Sequence, residues 1–92
     1  MPAAKGFMLS IDDSGLFVNP GDGNPWIDLQ FTACFVGVDG RLKRQQLRAQ
    51  LDPASTGAAM QAALAQAIRD YATSKGYTIA ANDVFLLAFA RA

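Results

Sequence analysis

Four serines (Ser10, Ser14, Ser55 and Ser74) and a single cysteine, Cys34, are the candidate nucleophiles of this chain, and no histidine accompanies them. A serine hydroxyl needs an adjacent base, most often histidine, before it attacks anything at neutral pH. Without histidine the chain also lacks the commonest general base and the commonest metal ligand. Cys34 sits inside an apolar run, where a cysteine packs as a small, inert hydrophobe. Ser55, just after Asp52-Pro53-Ala54, reads as a helix cap, a role Thr56 could equally fill. Nothing here supports catalysis, and the sequence reads as that of a non-enzyme.

Hard-metal chemistry would fall to aspartate, since all eight acidic residues are Asp and glutamate is absent. Asp12, Asp13 and Asp22 could offer oxygen ligands to calcium or magnesium, but their spacing matches no EF-hand loop. The same residues are what turns use to close on their own backbones. The loop Asn19-Pro20-Gly21-Asp22-Gly23-Asn24-Pro25 lacks the lysine and the following helix of a phosphate cradle. The expectation is therefore no cofactor and no metal.

Charge is distributed unevenly. The 92 residues carry eight cations and eight acids, net zero. Residues 1–40 hold Lys5 against Asp12, Asp13, Asp22, Asp28 and Asp39, while Arg41, Lys43, Arg44 and Arg48 follow with no acid up to residue 51. Such poles can attract copies of the same chain. Phosphate contact by residues 41–48 is the alternative, a nucleic-acid-associated module, although the segment has no interleaved aromatic residue. A solvated edge strand guarded by basic side chains accounts for the same residues.

The elements that would place these residues are legible from periodicity. The length suits one domain spanning 1–92, with 1–5 a loose tail and 1–25 either short strands or an extended arm. Phe7, Leu9 and Ile11 alternate with Met8 and Ser10 as a short strand, Asp12–Gly15 turns, and Leu16–Val18 forms a second. A long hairpin is expected over 26–51. Ile27, Leu29, Phe31, Ala33 and Phe35 face one side of its first limb, and Asp39-Gly40 makes a two-residue turn. Residues 41–51 are compatible with helix or strand, and the adjacent Asp-Gly selects strand, with Leu47, Ala49 and Leu51 inward. From about 56 to 75, Met60, Leu64, Ile68, Tyr71 and Ala72 recur at helical spacing, ending at Lys75 and Gly76. A closing strand over 83–90, apolar on both faces, completes an α+β fold: a small antiparallel sheet with one amphipathic helix on one face.

That inventory contains more apolar strand surface than one helix can cover. Apolar residues make up 51% of the chain and charged ones 17%. Monomers rarely expose patches beyond a few hundred square ångströms. Phe7, Leu9, Phe17, Trp26, Val36, Val38, Phe85 and Phe89, with Arg44 and Arg48, are the residues expected at a protein interface. The partner would be a second copy of the chain, a larger assembly, or both. No apolar run reaches membrane-spanning length, and residues 1–10 lack the apolar core of a signal peptide.

The short extended start (Gly6 to Pro25), the hairpin around Asp39-Gly40 and the Ala-rich helix make the chain resemble small virion proteins of tailed bacteriophages. So does the ending Tyr77-Thr78-Ile79-Ala80-Ala81-Asn82-Asp83-Val84. The resemblance implies a capsid-decorating, connector or tail-associated subunit, present in many copies and without catalysis. The expected location is then the virion, and otherwise the cytoplasm. The resemblance carries no motif, so it transfers no functional residue.

Overall fold

The computed structural model describes residues 2–38 and 42–90. Four strands, β1 (Ala4–Val18), β2 (Pro25–Gly37), β3 (Leu42–Leu51) and β4 (Val84–Leu86), form one sheet in the order β3-β2-β1-β4. Helix α1 (Gly57–Ser74) joins β3 to β4, a short 3₁₀ turn (Ala81–Asp83) precedes β4, and α2 (Leu87–Ala90) follows it. This is the expected α+β class, with the 26–51 hairpin and the long helix where periodicity put them. The expected Asp39-Gly40 turn lies outside the described residues.

The helix forms where three signals agree. Thr56, extended at φ −68°, accepts the Ala59 amide on its hydroxyl at 3.1 Å, so Thr56 and not Ser55 is the N-cap. Leu64, Ile68 and Ala72, four residues apart, form the buried stripe. At the other end Gly76 takes φ +85°, and its amide donates to Thr73 O while Tyr77 donates to Ala72 O. That pair of bonds is the Schellman arrangement, which satisfies carbonyls the last turn leaves open.

The core lies between α1 and one face of the sheet. Met8, Leu29, Phe31, Ala33 and Leu51 supply the sheet side; Leu64, Ile68 and Ala72 supply the helix side, and Ile79 closes the bottom. Gly6 lets the two layers meet: a Cβ there would stand 2.5 Å from Ile68 Cγ2.

Several expectations are corrected. The N-terminal tail is not loose from Pro2 onward, because Thr78 donates its amide to Pro2 O and accepts from the Ala4 amide, and Ala4 and Lys5 begin β1. The two short N-terminal strands are one strand of 15 residues, with irregularities in pairing between Met8 and Ser10 and between Ile11 and Asp13. The Asp12–Gly15 segment is therefore strand, with bulges absorbing the extra residues instead of a turn. Neither does the sheet remain antiparallel throughout. β4 runs parallel to β1, Gly6 to Met8 against Val84 to Leu86, as a helical crossover from β3 requires. The closing strand covers only Val84–Leu86 and is not buried on both sides, Phe85 being 37% exposed. Beyond Met8 the bulge in β1 interrupts the ladder that β4 would follow. Leu87-Ala88, good helix formers, turn helical there.

Candidate interaction surface

Helix α1 packs on one face of the sheet, and the register assigns the residues of the other. Phe7 pairs across from Cys34 and Phe85, Lys5 from Val36, Ser10 from Thr32, and Phe17 from Trp26. β3 adds Arg44 opposite Cys34, Gln46 opposite Thr32 and Arg48 opposite Gln30. Residues 4–18 are thus built into the sheet and do not fold across this face.

The open face has aromatic pairs at its two ends. Phe7 and Phe85 stack with ring centroids 5.0 Å apart and planes 16° from parallel. Phe17 and Trp26 stack at 4.9 Å and 23°. Both spacings lie in the range where offset aromatic rings attract beyond simple burial. Cys34, beneath the first pair, is buried, and Val36 beside it is half-buried.

Between the two pairs runs a polar band. The Asp12 carboxylate accepts from Thr32 Oγ1 at 2.5 Å, Ser10 Oγ at 2.9 Å and Gln46 Nε2 at 3.2 Å. These bonds favour its ionised form, the Thr32 bond most, and hold its pKa below the ordinary value of 3.8. Arg48 lies 3.4 Å from Asp28, and with the Gln30 amide turned to present its oxygen, Arg48 also donates to it at 2.6 and 3.2 Å. Threonine, serine, glutamine and arginine on this strand face therefore satisfy one another and the two carboxylates.

The ten expected interface residues do not converge on one point. Phe7, Val36 and Phe85 cluster at one end of the open face, and Phe17 and Trp26 at the other. Arg44 and Arg48 lie along its β3 edge. Leu9 is half-buried in the first bulge, and Val38, 73% exposed, stands where β2 ends. The Phe89 side chain lies outside the described residues. Sequence reasoning missed Asp12, Thr32 and Gln46 as a network. Its members lie 20 and 34 positions apart from Asp12, and only the register joins them.

The other chemistry considered disperses. Asp13 accepts the Ser14 amide and Asp22 the Asn24 amide, local turn and bulge bonds apart from Asp12. Among the described residues no three His, Cys, Asp or Glu side chains gather to hold a metal. The basic segment is split between faces: Lys43, opposite Phe35, points to the helix side, and Arg44 and Arg48 to the open side. No helix among the described residues is long and apolar enough to cross a membrane. Comparison of the chain with protein-family models, curated proteins and solved structures found no match.

Proposed function

We propose that this protein is a non-enzymatic structural subunit that works by self-association, a building block of the kind found in tailed-phage virions. The observation that carries the reading is the open sheet face, with a stacked aromatic pair at each end and a saturated polar band between. Leu16, Phe17 and Val18 add exposures of 68%, 47% and 62% at one end of the sheet. Aromatic anchors with a satisfied polar surround are what protein interfaces are built from. The mutual bonding of Asp12 and Arg48 with their neighbours supports the same reading, since these groups already hold hydrogen-bond partners within the face. A virion location follows from the resemblance to phage proteins. Residues 41–48 as a phosphate-binding strip fit less well, because their cations divide between two faces.

Sedimentation velocity across a concentration series tests the proposal. The natural chain is expected to self-associate at micromolar concentration, and Phe7→Ser with Phe85→Ser to weaken that association while circular dichroism stays unchanged. A chain that stays monomeric throughout would defeat it.

A further inference from the structure

The two ends of the sheet are chemically opposite, and they stand at the two ends of the molecule. At one end, Ala4 pairs with Gly37; at the other, Val18 pairs with Pro25. The 15-residue strand β1, with a rise of roughly 3.3 Å per residue before its bulges shorten it, is comparable in length to the longest dimension of the molecule, 46 Å. Beyond Met8, β1 has no β4 beside it and presents a free edge, while β3 flanks β2 as far as Ile27, so only the end of the β1–β2 ribbon, residues 17–26, projects past its neighbours. Residues 10–25 of the ribbon hold Asp12, Asp13 and Asp22 and no cation. Ile11, Leu16, Phe17 and Val18 are its exposed apolar residues, the last three toward the tip.

At the opposite end, between the C-terminus of α1 and the start of β3, is a cleft of about 590 Å³. Ala4, Gly37 and Ala72 are too small to fill it. Phe35, Tyr71 and Tyr77 form apolar walls, and Lys43 and Lys75 supply two cations. The walls are held in place: the Phe35 and Tyr71 rings meet at 5.1 Å, and Tyr71 Oη donates to Gln45 Oε1 at 3.2 Å. Lys75 Nζ stands 5.7 Å from the Tyr71 ring centroid, so cation and aromatic wall act together.

We infer that the acidic, apolar tip of the β1–β2 ribbon of one copy seats in the basic, aromatic cleft of the next. The proposal rests on self-association as read above and assigns its geometry. Leu16, Phe17 and Val18 meet Phe35, Tyr71 and Tyr77, while Asp22 in the turn and Asp13 farther back on the free β1 edge face Lys43 and Lys75. Tip and cleft are different surfaces at opposite ends, so the contact is head-to-tail and must continue into a ring or a filament. Charge fixes the direction: tip against tip brings acids together and cleft against cleft brings cations together, which complementary interfaces avoid.

Charge reversal on the full chain tests the contact, read by sedimentation velocity with thermal melts to verify folding. One variant combines Lys43→Glu with Lys75→Glu, another combines Asp13→Lys with Asp22→Lys, and a third carries all four; every position is exposed. Each two-site variant alone should require at least about tenfold more protein to associate, because its own tip and cleft now repel. Mixing the two, or combining all four changes in one chain, should restore assembly. If the natural chain associates and the two-site variants associate equally well, or mixing restores nothing, the head-to-tail contact is wrong and the open face alone remains. A natural chain that is monomeric throughout removes both.

Discussion

Asp12 shows how one side chain on a strand is stabilised without burial. It is exposed, yet three donors from three separate strand positions converge on it. Its folded pKa is lowered below the ordinary 3.8, so the charged form contributes stability above that value. That contribution is lost as the pH falls through the lower, folded pKa. Nuclear magnetic resonance titration of the Asp12 carboxyl carbon should give a midpoint under 3.8. Thr32→Val, which deletes the largest contributor, should move the midpoint back up; an unchanged midpoint would show that Thr32 does not set it. Nothing in sequence spacing marks this carboxylate, since Asp12-Asp13-Ser14-Gly15 reads locally as a turn. The turn reading fails because the tertiary partners Thr32 and Gln46 offer Asp12 more than its own backbone does.

At the scale of elements, the contact between α1 and β1 turns on a missing side chain. Gly6 faces Ile68 Cγ2, with Ile79 Cδ1 at 3.3 Å from the position a Cβ would take. Gly6→Ala should therefore cost about 1–3 kcal/mol through overpacking, measured by denaturant unfolding. Gly57→Ala, whose Cβ would meet nothing within 4 Å, is the control and should not destabilise. Bulges are the other decisive element-level feature. Strict alternation groups Phe7, Leu9 and Ile11 on one face, but Met8 is the core residue and Phe7 belongs to the open face. One extra residue in a strand exchanges the faces of everything after it. Period-two reasoning therefore succeeds on β2, which pairs without interruption with β3, and fails on β1.

The whole molecule divides into a covered and an uncovered half. Residues 4–8 and 29–35 lie under α1 or beside the buried core, whereas the ribbon from 10 to 25 ends in exposed Leu16 and Val18. Local opening follows the density of buried apolar contacts. In dilute protein, amides of residues 16–18, 26 and 27 should exchange with deuterium about tenfold or more faster than those of Ala33 and Met8. Uniform protection along β1 would mean that the ribbon is held by something beyond the contacts described. The same division is why self-association is the natural reading: the surface a single helix leaves open is the part of the chain richest in unsheltered aromatic residues.

The sequence by itself determined the α+β class, the long hairpin over 26–51, the helix with its cap and glycine stop, and the opposite charge of the two halves. Each of these depends on residues within a few positions of one another, where propensity, periodicity and capping act directly. Only the tertiary structure decided the parallel placement of β4 against β1, the side of the sheet each β1 residue occupies, and the gathering of Ser10, Thr32 and Gln46 around Asp12. It also placed the acidic ribbon and the basic cleft at opposite ends. Those outcomes depend on pairing between distant segments, where a bulge or a crossover changes the geometry while leaving the local pattern of residues as it was.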